Sequence, residues 1–294
     1  MSTENDVNFY DNNTSEGKHE QAIGYEQGGS SSCRLCGGNL AKKFSMKVLN
    51  KYEISCYHCN KCQSLQTEYP YWLDEAYAEL SFNLDTGAVQ RNINNFAACY
   101  ALSKIFSVNN IVDFGAKDGL LCRFLRDHQI NCYAYDKYAR PSYCIDFEVG
   151  KNEEKIELVV AFEVLEHLPN PKKDLDELFS FGSDYILAST EMYYDQTDDW
   201  WYLVKESGQH VFFYSAQALN YVAQKYGYGV TRIGGMILFF KPNIKDIQSK
   251  IISAQTIMDG WIFQAIKSFI FLLPTPGVQA DHELVKSKIN QKRF

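Results

Sequence analysis

Five of the nine cysteines fall in two short runs, CRLC (33–36) and CYHCNKC (56–62). Two thiolates spaced as Cys-x-x-Cys grip one metal ion from a single turn, and two such hooks complete a tetrahedral Zn2+ site. Cys33 and Cys36 make the first hook. The second is either Cys59 with Cys62 or Cys56 with Cys59. Cys59 and Cys62 are favoured, because YEISCYHC then supplies the strand that a zinc ribbon needs before its hook. The module has too few apolar residues to fold alone, so the ion is expected to supply its folding energy. An odd number of unevenly placed cysteines behind a polar, acidic start (MSTENDVNFYDNNTSEGKHE) predicts free thiols in a reducing, cytoplasmic setting.

A second chemical signal lies in IVDFGAKDGL (111–120), an apolar strand, a turn with two glycines and a helix start. Glycine lets a backbone approach a ligand closely. The pattern is Asp113-x-Gly115-x-x-x-Gly119, with Lys117 where a third glycine is expected. Asp136 ends the next apolar segment, 23 residues after Asp113. That spacing suits a carboxylate accepting hydrogen bonds from ribose hydroxyls. An acid at the strand end repels a pyrophosphate but attracts the amino group of a methionine-like moiety. The turn therefore points to S-adenosylmethionine. A lysine held in a left-handed conformation costs about 1 kcal/mol, a strain the turn survives if the side chain points away.

The third signal is histidine, the natural base near neutral pH. Of six, His210 lies in the aromatic run WWYLVKESGQHVFFYS (200–215), read as a loop on the acceptor rim, and His167 follows an apolar strand in EVLEH. Aromatic faces in a loop suit a sugar ring or planar acceptor, and packing is the competing use of the same residues.

The elements that must carry these groups alternate from residue 110 onward. NIVDF, NCYAYD, ELVVAF and DYILAST read as strands, with helical spacing in 119–128, 171–181 and 215–227 between and after them. Apolar strands separated by helices predict a parallel sheet covered on both faces. VTRI and MILFFK, joined only by Gly234 and Gly235, must close it as an antiparallel hairpin. The expected organisation is a disordered tail (1–32), a zinc ribbon (33–69), a helical bridge (70–108), the α/β domain (109–242) and a C-terminal helical extension (243–294). WIFQAIKSFIFLL (261–273) is too short to span a bilayer and reads as a core or partner-facing helix. A net charge of −7 argues against a nucleic-acid partner.

With these residues in view, the chain resembles class I S-adenosylmethionine-dependent methyltransferases. VDFGAKDG is similar to their first motif, AYD to their ribose acid, and LVVAFEVLEHLPNP (158–171) to their fourth-strand motif. The resemblance implies a Rossmann-like sheet and cofactor contacts at Asp113, Gly115, Gly119, Asp136, Phe162 and Glu163, with Phe147 flanking the adenine. A ribbon followed by such a domain also resembles bacterial enzymes that methylate deoxysugars on nucleotide carriers, in which the ribbon is structural. GQHVFFYS is similar to the segment that bears their catalytic histidine, so His210 is the expected base and His167 the second candidate. Tyr77 and Trp201 are expected to line the acceptor pocket, and Arg91 and Asn92 to reach the cofactor's carboxylate. The implied function is methylation of a small molecule, a sugar or glycan precursor. The rival is a decayed methyltransferase fold that serves as a scaffold, a reading Lys117 favours.

Overall fold

The computed structural model describes residues 32–78, 86–150 and 155–291. The tail assigned to 1–32 lies outside them except for its last residue. Two sheets organise the described chain. The larger is built from β4 (Asn110–Phe114), β5 (Asn131–Tyr135), β6 (Leu158–Phe162), β7 (Tyr185–Ser189), β9 (Gly229–Ile233) and β10 (Met236–Phe240). Its order is β5-β4-β6-β7-β10-β9. The first four strands are parallel, with Val112 opposite Tyr133 and Val159. β10 runs antiparallel to both β7 and β9. This is the parallel sheet that the alternating pattern predicts and the Rossmann-like arrangement that the resemblance implies, closed by the expected hairpin.

Nearly every residue of β4, β6 and β7 is buried, because helices cover both faces. Ile111, Leu158, Val160 and Leu187 face one side, packed with Phe96, Leu102, Leu125 and Ile251. Val112, Val159, Ala161, Ile186 and Ala188 face the other, against Leu175, Leu178 and Leu219. The period of two in the strands thus divides one continuous apolar run between two cores. The covering helices include α2 (Ala88–Phe106), α3 (Leu120–Asp127), α4 (Pro171–Ser180) and α5 (Ala216–Tyr226). α4 starts with proline at its first position, where no amide hydrogen is needed. Ser215 caps α5 by accepting from the Ala218 amide.

The smaller sheet is antiparallel, with order β1-β2-β3-β8. β1 (Leu40–Val48), β2 (Tyr52–Cys59) and β3 (Leu65–Thr67) come from the cysteine module. β8 (Phe212–Phe213) comes from the run read above as a loop, and pairs Leu65 with Phe213 and Gln66 with Phe212. That reading is corrected. The edge strand β3 needs hydrogen-bond partners, and the aromatic run supplies them while burying Phe212, Phe213 and Tyr214. Those rings pack, as does Tyr202. Trp201 stays 71% exposed and keeps an open face.

Of the two uses expected for 261–273, the core one does not hold: in α7 (Trp261–Phe269) only Phe263 is buried, and Trp261 and Phe269, with Phe271 and Leu272 of the following 3-10 turn, are exposed. No single helix among the described residues is long and apolar enough to cross a membrane.

Candidate active site and thiolate cluster

The turn after β4 takes the conformation its glycines allow. Gly115 and Gly119 have φ of +81° and +80°, and a Cβ on Gly115 would lie 2.7 Å from Val164 Cγ2. Lys117 also sits in the left-handed region, at φ +48°, with its side chain exposed. Its amide donates to Asp136 Oδ2 at 2.9 Å, while Oδ1 accepts from the Tyr138 and Ala139 amides at 2.8 Å. Asp136 therefore ties the end of β5 to the glycine turn. Asp113 is buried and its carboxyl accepts no hydrogen bond among the described residues. Burial, and then the charges of Asp136 and Asp118, push its pKa up to about 7.

Phe162 is half-buried at the end of β6, and Glu163 follows at φ +53°, with its amide and its Oε1 both bonded to the Ser189 hydroxyl. Phe147 does not stand as expected. It is 4% exposed, with the Arg126 guanidinium 3.6 Å from its ring centroid. A ring so covered has no free face for an adenine. Asn92 bonds back to the Ala88 carbonyl of its own helix, so it is not poised for a cofactor carboxylate. Arg91 joins Glu163, Ser189, Thr190, Trp201 and Tyr202 in lining a cavity of about 240 Å³.

Beside this cavity the two candidate histidines meet. A short 3-10 turn, Leu165–His167, directly after β6 carries one, and the residue just before Val211 and β8 carries the other. Their ring centroids are 4.8 Å apart and nearly perpendicular. His210 Nδ1 donates to the Tyr202 carbonyl at 2.7 Å. His167 Nδ1 lies 3.2 Å from the Gln209 carbonyl and 3.2 Å from the Tyr77 hydroxyl. Burial lowers both imidazole pKa values, His167 to about 3, helped by His210 and Lys117, so both rings are neutral at pH 7. Tyr77 comes from α1 (Leu73–Ala78), held on this segment by bonds from Trp72 Nε1 to the Gly208 carbonyl and from Gln209 Nε2 to the Ala76 carbonyl.

Glu166 went unnoticed in the sequence. It is fully buried, its Oε1 accepts from the Tyr202 hydroxyl at 2.7 Å, and burial followed by the Glu163 charge pushes its pKa up to about 8. Its signal was a carboxylate beside a histidine at the end of an apolar strand.

The four favoured cysteines come together. Cys33, Cys36, Cys59 and Cys62 have sulfurs within 4.8 Å of one another, with Cys36–Cys59 at 3.5 Å and Cys33–Cys62 at 3.7 Å. Four converging sulfurs of this kind fit a structural Zn2+. Cys56 lies apart, in the apolar cluster with Met46, Ile54 and Trp72, where burial pushes its thiol up to about 12. The alternative hook thus loses its geometric basis. Around the cluster, Arg34 Nη2 donates to the Val211 carbonyl at 2.6 Å and Ser215 Oγ donates to the Cys62 carbonyl at 2.5 Å. Both bonds join the module to the segment that bears His210.

A family model described as "Methyltransferase domain" matches residues 83–233. No curated protein matches the chain. Among solved structures, the methyltransferase domain of bacterial CtHen1-C is similar at 18% identity, over 51% of this chain and 98% of that one, with a TM-score of 0.37. Magnesium protoporphyrin IX methyltransferase from Synechocystis PCC 6803, with SAH bound, is 13% identical over 57% of this chain and 92% of its own, with a TM-score of 0.37. An O-methyltransferase family protein from Burkholderia thailandensis is 11% identical over 54% of this chain and 58% of its own, with a TM-score of 0.41.

Proposed function

The chain belongs to the methyltransferase-domain family, and on that premise we propose that it transfers the methyl group of S-adenosylmethionine to a small-molecule acceptor. The observation that carries the reading is the turn at 113–119. A buried carboxyl without a hydrogen-bond donor, two left-handed glycines and Asp136 across the turn form a cradle for a cationic methionine group and a ribose. The cofactor, when bound, supplies an electrophilic methyl group. Asp113 would hold its amino group and Asp136 its ribose hydroxyls, with Gly115 and Gly119 giving backbone access and Phe162 and Glu163 alongside. Phe147 is omitted from this set.

The acceptor would enter the cavity lined by Arg91, Glu163, Trp201 and Tyr202. Trp201 offers it an exposed aromatic face, Tyr77 hydrogen-bonds His167, and His210 or His167 would take its proton. A sugar or glycan precursor is the finer reading, supported by the resemblance of the ribbon and of GQHVFFYS to deoxysugar methyltransferases. One structural Zn2+ in the thiolate cluster completes the picture.

Calorimetry with S-adenosylmethionine and S-adenosylhomocysteine tests the cofactor, and a screen of nucleotide-sugar acceptors tests the substrate. Micromolar binding of either nucleoside is expected, about −8 kcal/mol at 1 μM. A wild-type protein that binds neither at millimolar concentration would replace this reading with the scaffold.

A further inference from the structure

Glu166 has no task in methyl transfer as described so far. Its carboxylate is fully buried, and while Oε1 accepts from Tyr202, Oε2 accepts nothing. Such an oxygen, cut off from water, calls for a proton or a cation. The groups around it are the Tyr202 and Thr190 hydroxyls, the Glu163 carboxylate and two imidazoles. His167 and His210 each offer a nitrogen within 4.8 Å of a Glu166 oxygen and of each other, yet no hydrogen bond joins the carboxylate to either ring. A structural glutamate–histidine pair would close that gap with a shared proton. Instead three possible donor atoms lie within 4.8 Å of one another with no bond among them.

The rings are also oriented as ligands are. Each commits its Nδ1 to a backbone carbonyl, Gln209 for His167 and Tyr202 for His210. A carbonyl only accepts, so each contact favours the proton at Nδ1 and the lone pair at Nε2, the arrangement outer partners impose on metal-bound imidazoles.

We propose that Glu166, His167 and His210 bind a divalent first-row transition-metal cation beside the acceptor cavity. Two imidazoles and a carboxylate suit zinc as well as manganese, iron or cobalt, whereas four thiolates favour zinc over the harder ions. The ion's catalytic use rests on the methyl-transfer reading; its binding does not. Tyr202, which donates to Glu166, and Glu163 both line the cavity, so an ion held by the three residues would lie next to the acceptor side. A hydroxyl of the acceptor binds there through oxygen and becomes more acidic. Its proton passes to water in the cavity. The oxygen then forms the bond to the methyl carbon as the carbon–sulfur bond breaks, and the electron pair stays on sulfur as a neutral thioether. His210 becomes a ligand to the ion instead of the base, and the acceptor atom is oxygen.

The test uses the full chain carrying one zinc per chain by elemental analysis, with Mn2+ as probe, since Mn2+ prefers oxygen and nitrogen donors to thiolates. Electron paramagnetic resonance follows free Mn2+ through a titration, and calorimetry measures the S-adenosylhomocysteine affinity of each variant. One Mn2+ per wild-type chain is expected. His210→Ala and Glu166→Gln should weaken its binding about tenfold or more, given that even outer partners are worth that much. His210→Ala should keep wild-type S-adenosylhomocysteine affinity, which guards against misfolding of the buried Glu166→Gln variant. Equal Mn2+ binding by wild type and His210→Ala overturns the proposal. So does a wild type that binds S-adenosylhomocysteine and no Mn2+. A wild type that binds Mn2+ through these residues but no S-adenosylhomocysteine upholds the ion site and overturns the cofactor reading alone.

Discussion

The thiolate cluster and the Glu166–His167–His210 cluster stand at opposite ends of a scale of locality. The first is assembled from two hooks joined by one β-hairpin, and its geometry follows from the spacing within CRLC and CNKC. The second brings residues 166 and 167 at the end of β6 against residue 210, which no local pattern holds there. What holds it is the first cluster's own sheet. β3 pairs with β8, Arg34 grips the Val211 carbonyl, and the Val211 amide donates to the Glu166 carbonyl at 2.8 Å. His210 is clamped between the cysteine module and the end of β6. The cysteine module thus holds His210 against Glu166 and His167, while the glycine turn at 113–119 follows a strand of the large sheet and bonds through Lys117 to Asp136.

This asymmetry predicts its largest effect for Cys62→Ser. The variant should lose its zinc, which in such modules supplies on the order of 10–16 kcal/mol of coupled folding and binding energy. With the module unfolded, β8 loses its partner, and turnover should fall about 10²-fold or more, the worth of a positioned catalytic group. Affinity for S-adenosylhomocysteine should stay within about threefold of wild type, well under the tenfold that 1.4 kcal/mol represents. Elemental analysis and calorimetry on one preparation check both halves. Cys56→Ser should keep its zinc and lose only about 1–2 kcal/mol of stability as a core substitution. Zinc lost from Cys56→Ser and kept in Cys62→Ser would break the comparison.

The reverse dissection comes from Asp136→Ala. It should weaken cofactor binding by about one to two orders of magnitude, since charge-assisted hydrogen bonds are worth roughly 1.5–3 kcal/mol. Zinc content should be untouched. Because Asp136 also anchors the Lys117, Tyr138 and Ala139 amides, Asp136→Asn should retain part of the turn and recover part of the affinity. Equal affinities for wild type and Asp136→Ala, measured by calorimetry, would remove the ribose role.

How much of this was legible in the sequence follows the same scale. β4, β6 and β7 were visible because they are buried on both faces and so read as unbroken apolar runs. The converging cysteines were visible from spacing, the strand before Cys59 favoured Cys62 over Cys56, and packing puts Cys56 apart among Met46 and Trp72. The run 200–215 was misread as a loop because β8 has two residues and its partner lies about 150 positions earlier, between Gln66 and Phe212. Phe147 was misplaced for a like reason: the cation over its ring, Arg126, belongs to another element. Glu166 was hidden because a carboxylate after a strand signals nothing until the two imidazoles are brought to it.

A smaller effect should appear as pH dependence in the turn. Asp113 is pushed up to about 7 by burial first and then by Asp136 and Asp118. In the folded protein it holds its proton more tightly than in the unfolded chain. Its contribution to stability is therefore full below about pH 4, the unfolded value, and is lost as pH rises through about 7. Cofactor binding should run the other way. A cationic amino group selects the ionised carboxyl, so affinity should rise with pH up to about 7, by at most tenfold per unit, with release of up to one proton below that point. Calorimetry in two buffers of different ionisation enthalpy measures that proton, and Asp113→Asn should flatten the profile. No proton release at pH 6 would mean that the amino group binds elsewhere.

Lys117 should have the smallest effect, and it bears on the scaffold reading. Its φ of +48° is one that glycine adopts without cost and lysine does not, so Lys117→Gly should relieve about 1 kcal/mol of strain. Glycine also gives the unfolded chain more freedom, which offsets the gain by about 0.4–1 kcal/mol. The net change in thermal midpoint should accordingly be near zero. Cofactor affinity should change less than about threefold, because the backbone amide that bonds Asp136 is present in either residue and the lysine side chain is exposed. A lysine that had closed the site would behave differently. Its replacement by glycine would then create cofactor binding where the wild-type protein has none. Calorimetry on the two proteins side by side separates a strained but working turn from a decayed one.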